Sequence, residues 1–241
     1  MGKASGVCGG RGGSQHLHWR NFYSNGVQGG IAPLAVGMAL AEKFKGSAAI
    51  TAAFLGDGTL GEGVLYESLN MASLWQAPVL WVVENNKIAQ TTPVEISLAG
   101  DIAARFAAFG IPCKELDSSD VVEIAPLAVQ LVEQIRASSA PRALILHTCR
   151  FGPHSKGDDT RPAEEIARQR AARDPLRIQA QRLQAEKRQE IEKVEDQLIQ
   201  EAFESALAEP LPDGIVDPVM GVELHQGRKK CLEEAAFAFR R

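Results

Sequence analysis

Two apolar runs that each end in a polar group constrain the fold of this chain more than any other feature. The run from 48 to 55 leads into Gly56-Asp57-Gly58, and the run from 79 to 83 leads towards Asn85-Asn86. The 26 residues between the triplet and the Asn pair carry apolar side chains at the three- and four-residue steps typical of a helix. Strand, helix and strand in this order predict two parallel strands of one sheet, joined by a right-handed crossover.

The alternation of strands and helices continues beyond these two runs. One helical pattern begins at Pro33, and three others cover 61–75, 101–109 and 120–138. Short apolar strands are predicted at 111–116 and 143–146. The continuous apolar run at 79–83 is typical of a strand that is covered on both faces. We therefore predict an α/β fold with a doubly wound, mostly parallel sheet.

Composition changes along the chain predict three segments. Residues 1–30 are rich in Gly, Ser, Asn and His and are predicted to form a glycine-rich entry loop, and 31–162 form the α/β domain. A charged helical tract without strand signals covers 163–208, and a mixed, proline-containing tail follows as a linker or docking segment. Together, 163–241 are predicted to be a helical C-terminal extension and tail.

The composition argues against several classes of protein. A net charge of −4 gives no sign of nucleic-acid binding, and the four cysteines lack the paired spacing of a zinc site or a disulfide framework. Apolar runs are too short for a membrane span, and the start of the chain has no secretory signal. We expect a soluble protein of the cytoplasm with buried or idle thiols.

The polar ends of the two apolar runs are the candidate site. Ligands of doubly wound sheets bind at the carboxyl ends of neighbouring parallel strands, so Asp57 and Asn86 are expected to meet there. A carboxylate and an amide oxygen suit Mg²⁺, which keeps its other positions for water and phosphate oxygens. Gly58 and Thr59 would place backbone N–H groups and a hydroxyl near phosphate. Either motif alone would be read as a tight turn or a polar strand end, but together they favour a site.

The chain resembles, over residues 9–212, the alpha subunit of the decarboxylating component of 2-oxo acid dehydrogenase complexes, the pyruvate, branched-chain and acetoin systems. The span from Gly56 to Asn86 is similar to the thiamin diphosphate motif. Further matches are Gly12-Gly13-Ser14-Gln15-His16, Asn21-Phe22-Tyr23, Asn25-Gly26, Pro33, Tyr66-Glu67-Ser68-Leu69-Asn70-Met71-Ala72, Leu74-Trp75, Glu84-Asn85-Asn86, and His154-Ser155 with Asp158. The resemblance implies the thiamin diphosphate-binding fold.

The resemblance implies specific roles for residues of this chain. The metal ligands would be Asp57, Asn86 and the carbonyl of Ile88, and the phosphate contacts would be Gly58, Thr59 and His154. The element that meets the aminopyrimidine ring through the backbone falls on Gly26 and Gln28, where Gln28 replaces an aliphatic residue.

Two histidines are candidates for catalysis. His154 follows a strand in a polar loop, where it is either solvent-exposed or bound to diphosphate or the acyl intermediate. His16 lies in the entry loop and would face the active-site channel. Ser155 matches a serine that is phosphorylated in some animal relatives, and we do not transfer that regulation. Glu84 is predicted to be a buried structural carboxylate.

The resemblance also implies a partner. Activation of thiamin diphosphate needs a carboxylate on the pyrimidine ring, which in this family comes from a beta subunit in an α₂β₂ heterotetramer. Relatives carry a further N-terminal region with a Tyr-Arg pair that helps to bind the cofactor. Another polypeptide supplies that region, or the sequence is a fragment, or diphosphate binding is weakened.

The implied function is oxidative decarboxylation of a 2-oxo acid, with transfer of the acyl group to a lipoyl carrier on an acyltransferase. One alternative is another thiamin diphosphate-dependent carboligase or synthase, and a second is a non-catalytic assembly subunit that retains the fold. Ordinary nucleotide binding is disfavoured because no Gly-x-Gly-x-x-Gly follows a strand and there is no P-loop.

Overall fold

The computed structural model describes residues 1–13, 15–155 and 157–213. The chain divides into two compact units, one of Met1–Gly26 with Gln189–Arg241 and one of Val27–Arg188. The second segment of the first unit is described as far as residue 213. We refer to them as the terminal unit and the central unit.

The strands in chain order are β1 (His18–Trp19), β2 (Phe22–Tyr23), β3 (Thr51–Gly56), β4 (Val79–Asn85), β5 (Ile88–Ala89), β6 (Thr92–Pro93), β7 (Cys113–Leu116) and β8 (Arg142–His147). The α-helices are α1 (Ile31–Phe44), α2 (Gly63–Leu74), α3 (Val94–Ser97), α4 (Ile102–Ala107), α5 (Val121–Ser138), α6 (Ala163–Arg173), α7 (Pro175–Ala180) and α8 (Ala185–Ala208). Short 3₁₀-helices cover Val7–Gly10, Gln28–Gly30 and Asp57–Gly61.

The central unit is built on a four-stranded sheet with the order β3-β4-β8-β7. All three strand pairs are parallel. Trp81 of β4 lies opposite Ala53 of β3 on one side and opposite Ala143 of β8 on the other. The predicted α/β class and parallel sheet are confirmed. Strand boundaries differ by a few residues from the apolar runs because β4 and β8 continue into polar residues, Asn85 and His147, at their carboxyl ends.

Helices cover both faces of the sheet. Alternate residues of β4 point to opposite faces, so Val79, Trp81 and Val83 pack in one core while Leu80 and Val82 pack in another. The first core also contains buried residues of α1, α2 and α4, and the second contains Leu131 and Ile135 of α5. The all-apolar run of β4 is therefore explained by burial on both sides.

Helix α2 offers a test of the larger core. Leu69 is fully buried in it, whereas Leu74 at the end of the same helix is 72% exposed. Leu69→Ala is expected to lower the free energy of unfolding by about 2–5 kcal/mol, because it leaves a cavity in a closed core. Leu74→Ala is the matched control and should change it by no more than about 0.5 kcal/mol. Urea denaturation followed by circular dichroism measures both; equal effects would contradict this core assignment.

The charged tract 163–208 contains three helices. Asp174 ends α6 in an extended conformation and caps α7, accepting a hydrogen bond from the Leu176 N–H at 2.9 Å. Pro175 explains the break, because a residue that precedes proline is disfavoured in the helical conformation. The predicted extension over 163–241 is not supported as one unit, since residues 214–241 lie outside the described residues and α8 spans the boundary between the two compact units.

The terminal unit has its own contacts. β1 pairs antiparallel with β2, and the rings of His18 and Tyr23 stack at 4.5 Å. Lys3 Nζ donates to the carbonyls of Leu207 and Glu209 at 2.9 and 2.7 Å. A cation at the C-terminal end of α8 is favourable because the last carbonyls of a helix lack partners within it. In the described part of the chain, no helix has the length and apolarity needed to cross a membrane.

Candidate metal and phosphate site

The carboxyl ends of β3 and β4 bring the two sequence motifs together. Gly56 lies opposite Glu84 in the parallel register, so the loops that begin at Asp57 and at Asn86 leave the same edge of the sheet. The backbone N–H groups of Asn86, Lys87 and Ile88 lie close enough to the Asp57 carboxyl to lower its pKa. The structure thus confirms the predicted proximity of the Asp57 and Asn86 loops.

Asp57 is a buried carboxyl group with one open oxygen. Its side chain belongs to a residue that is 3% exposed, and Oδ2 has no hydrogen-bond partner in the described part of the chain. Burial raises the pKa of Asp57, and the N–H groups of Gly58 and the Asn86–Ile88 segment oppose this rise. A buried anion needs a cation or hydrogen bonds to be stable. The open oxygen therefore suits a bound cation.

Thr59 and Gly58 complete this turn. Thr59 is 2% exposed, and its Oγ1 is buried without a hydrogen-bond partner in the residues described. A Cβ on Gly58 would lie 2.8 Å from the Cβ of Ala89, so the two loops pack too closely for a side chain there. Glycine is required at position 58 by this close approach.

The Asn85–Ile88 segment is held by two short turns. Asn85 Oδ1 accepts a hydrogen bond from the Lys87 N–H at 3.1 Å, and Asn86 Oδ1 accepts one from the Ile88 N–H at 3.2 Å. Lys87 has a φ of 66°, which is unusual for a residue with a side chain. Since an amide oxygen has two lone pairs, Asn86 Oδ1 can still ligate a cation.

The candidate ligand set contains a single carboxylate. Within the described ranges, no three residues of the types His, Cys, Asp and Glu are grouped as they would be in a metal site. A cation held by Asp57, Asn86 and the Ile88 carbonyl would have one charged and two neutral oxygen ligands. Oxygen ligands of this kind suit Mg²⁺, which retains positions for water and phosphate. The residues present fit the predicted metal.

The prediction for Glu84 is wrong. It was expected to be a buried structural carboxylate, but its side chain is exposed. Glu84 follows Val82 on the alternate positions of β4, and this face is no longer covered at the end of the strand.

The loop from 150 to 162 carries His154. His154 is exposed, and its Nδ1 lies 2.9 Å from Ser155 Oγ and 3.8 Å from Asp158 Oδ2. The predicted contact of His154 with diphosphate is not seen among these local contacts and stays a prediction. The loop is held by Arg161, whose ion pair with Asp159 at 2.7 Å lowers the pKa of that carboxyl to about 2.

Gly26 and Gln28, the predicted pyrimidine-side residues, belong to different units, and the channel candidate His16 belongs to the same unit as Gly26. In the terminal unit, His16 is exposed, and a Cβ on Gly26 would lie 3.3 Å from His16 Nε2 and 2.4 Å from Gln15 Oε1. In the central unit, Gln28 is exposed at the start of a 3₁₀-helix. Their roles towards a cofactor stay predictions.

Sequence reasoning missed Glu62. Its Oε1 accepts a hydrogen bond from the Gly29 N–H at 3.0 Å, which joins the 3₁₀-helix at Gln28–Gly30 to the start of α2. A Cβ on Gly29 would lie 2.3 Å from Glu62 Oε2, so glycine permits this approach. The only sequence signal was a carboxylate one residue before a helix, which is common on surfaces.

Comparison with known proteins shows the family. The sequence model of the Dehydrogenase E1 component family matches residues 1–214, so the chain belongs to that family. It is 37% identical over 181 residues to the alpha subunit of the pyruvate dehydrogenase E1 component of Zymomonas mobilis, covering 73% of this chain and 51% of that one. The corresponding subunit of Rhizobium meliloti is 33% identical over 224 residues, covering 88% and 64%.

Relatives with another named activity also match. The alpha subunit of acetoin:2,6-dichlorophenolindophenol oxidoreductase of Cupriavidus necator is 35% identical over 223 residues, covering 88% of this chain and 67% of that one. A solved transketolase of Campylobacter jejuni overlaps 53% of this chain and 21% of its own, with 26% identity and a TM-score of 0.45. The chain spans between half and two thirds of the length of the two pyruvate dehydrogenase relatives above.

Proposed function

We propose that this chain binds the diphosphate of thiamin diphosphate through Mg²⁺. Asp57, Asn86 and the Ile88 carbonyl would hold the metal, while Gly58 and Thr59 would contact phosphate. The observation that carries the proposal is a pair of buried oxygens without hydrogen-bond partners among the described residues, Asp57 Oδ2 and Thr59 Oγ1, on one turn at the carboxyl end of β3. Buried polar atoms are normally satisfied, so two open ones at a ligand-binding edge point to a missing group.

The residues of this chain would act by binding and charge compensation. The Asp57 carboxylate supplies the single negative charge of the ligand set, leaving the cation a net positive charge towards diphosphate. Backbone N–H groups at the start of the turn before α2 favour an anion. When bound, thiamin diphosphate would supply a carbanion as the nucleophile for a 2-oxo acid. His154 is proposed to donate a hydrogen bond to diphosphate or to orient the acyl intermediate, and His16 is proposed to face the active-site channel.

The proposed enzyme needs a partner. A beta subunit would supply the carboxylate that activates the cofactor, in an α₂β₂ heterotetramer, and an acyltransferase would carry the lipoyl group. The complete enzyme would oxidatively decarboxylate a 2-oxo acid in the cytoplasm. The boundaries of the first two segments, 1–30 and 31–162, also remain our proposal. Family membership and the named alpha-subunit relatives support the partner.

Calorimetric titration with thiamin diphosphate tests the proposal. We expect binding in the presence of Mg²⁺ and a loss of binding after EDTA treatment, because the diphosphate would be held mainly through the metal. Thiamin without phosphate is the control ligand and should not bind. Metal-independent binding would contradict the proposed metal site. Absence of binding even with the beta subunit present would contradict the whole proposal and favour a non-catalytic assembly subunit.

A second measurement concerns the reaction. With the beta subunit and a 2-oxo acid, we expect CO₂ release and reductive acylation of lipoamide. Carbon–carbon bond formation without lipoamide would instead identify a carboligase or synthase.

A further inference from the structure

His147 is a polar residue at the carboxyl end of a third parallel strand, as Asp57 and the Asn85-Asn86 pair are for β3 and β4. It ends β8 and lies directly opposite Asn85 of β4 in the parallel register. The Thr148 N–H donates to the Asn85 carbonyl at 2.9 Å, so the two strand ends are joined through the backbone. β7 lies on the other side of β8 and places Glu115 opposite Ile145.

Side chains extend this connection across three strands. Asn85 Nδ2 lies 3.1 Å from His147 Nδ1, and His147 Nε2 lies 3.1 Å from Glu115 Oε2. Asn85 is 4% exposed, whereas the side chains of His147 and Glu115 are 26% and 43% exposed. These three side chains therefore form a row that extends from the exposed Glu115 to the buried amide of Asn85, which is next to the candidate metal ligand Asn86.

The two ends of this row determine the direction of every hydrogen bond. The Lys87 N–H can only donate, so Asn85 presents Oδ1 to it and Nδ2 to His147. Nδ2 can only donate, so His147 Nδ1 must accept. The ring proton then lies on Nε2 and is donated to the Glu115 carboxylate, which accepts. One tautomer of His147 satisfies all three bonds.

We propose that His147 is a positioning residue that holds the Asn85–Lys87 turn in the conformation that presents Asn86 and Ile88 to the metal. This inference rests on the proposed Mg²⁺ site. Lys87 has a left-handed backbone, which persists only where its surroundings hold it. Asn85 Oδ1 is the group that accepts its N–H, and His147 sets the orientation of that amide.

The backbone of His147 is anchored independently of its ring. Arg173 donates to the His147 carbonyl at 2.7 Å and forms an ion pair with Asp117. Replacing the imidazole ring therefore leaves the strand end in place and removes the acceptor for Asn85 Nδ2. The amide can then rotate, and the bond to Lys87 is lost for part of the time.

Two variants separate this role from simple packing. His147→Leu removes the acceptor, whereas His147→Asn keeps an amide oxygen near the position of Nδ1. Because outer partners of metal ligands commonly change affinity 10- to 100-fold, we expect His147→Leu to raise the dissociation constant for Mg²⁺ with thiamin diphosphate about tenfold or more. His147→Asn should keep the dissociation constant within about threefold of the wild-type value, which is below the loss expected when an outer partner is removed.

Two measurements on the whole chain do not need the cofactor. Long-range ¹⁵N–¹H NMR should show the proton of His147 on Nε2. Hydrogen exchange at the Lys87 amide should be about tenfold faster or more in His147→Leu, since an opened bond leaves the amide to solvent, and His147→Asn should restore its protection. A proton on Nδ1, or unchanged exchange in His147→Leu, would overturn the inference. If the NMR and exchange results hold while the wild type binds no cofactor, only the proposed function fails.

Discussion

Asp57→Asn is expected to weaken Mg²⁺-dependent binding of thiamin diphosphate by about 100-fold or more. The substitution keeps the size of the side chain but removes the only charge of the candidate ligand set. Changes in the outer partners of metal sites already cost 10- to 100-fold, so a directly ligating carboxylate should cost at least the upper value. A factor of 100 corresponds to about 2.8 kcal/mol of binding free energy. Isothermal titration calorimetry at fixed, saturating Mg²⁺ measures it.

The same substitution is expected to stabilise the metal-free protein. Burial raises the pKa of Asp57 in the folded state. A raised pKa means that folding disfavours the charged form, so the wild-type protein loses stability as the pH rises from the unfolded pKa to the folded pKa of this carboxyl. As the pH rises from about 4, the unfolded value, stability of the wild type should fall relative to Asp57→Asn and then level off. Thermal unfolding from pH 4 to 8 with EDTA measures this difference.

Glu84→Gln is the matched control. Glu84 lies at the carboxyl end of the neighbouring strand, opposite Gly56, but its side chain is exposed. Loss of this charge should leave the cofactor affinity unchanged. Equal losses of binding in the two variants would show that net charge at this edge, rather than ligation by Asp57, attracts the cofactor.

Gly58→Ala is expected to lower both the stability of the protein and its affinity for the cofactor. The new methyl group would lie 2.8 Å from the Cβ of Ala89, closer than two such atoms can approach. One of the two loops must shift, and overpacking of this kind costs about 1–3 kcal/mol of folding free energy. The shift separates the Asp57 turn from the Asn86–Ile88 segment, so cofactor affinity should fall with stability. Chemical denaturation and calorimetry measure the two losses.

The contact partner and a neighbouring glycine supply the controls. Gly58→Ala combined with Ala89→Gly removes the opposing methyl group and should recover most of the stability and affinity. Gly61→Ala lies in the same 3₁₀-helix, where a Cβ would meet nothing within 4 Å, and should be tolerated. If the double variant were no better than Gly58→Ala, contact with Ala89 would not be the reason for glycine at this position.

The elements of the central unit follow from local patterns. β4 was predictable because an uninterrupted apolar run is typical of a strand that is covered on both faces. α5 was predictable because its apolar residues recur at helical spacing after the capping residue Asp120. Asp120 accepts a hydrogen bond from the Val122 N–H at 2.9 Å, a local interaction visible in the sequence. The break at Pro175 was also encoded locally, although it was not predicted.

The candidate site was only partly predictable. Asp57 and Asn86 could be placed together because parallel strands end at the same edge of a sheet. Glu84 was misplaced because burial at a strand end depends on how far α5 covers that face, which no local pattern records. Glu62 and His147 were missed because their partners, Gly29 and Asn85, are distant in sequence and become neighbours only through packing.

By itself, the sequence determined the α/β alternation, the pair of motifs and the resemblance to a family, since these depend on local spacing and residue type. Tertiary structure decided the strand order β3-β4-β8-β7, which oxygens remain without partners, and the direction of the Asn85–His147–Glu115 hydrogen bonds. The physical reason is that burial and hydrogen-bond satisfaction are properties of groups brought together from distant positions. They exist only once the sheet has formed.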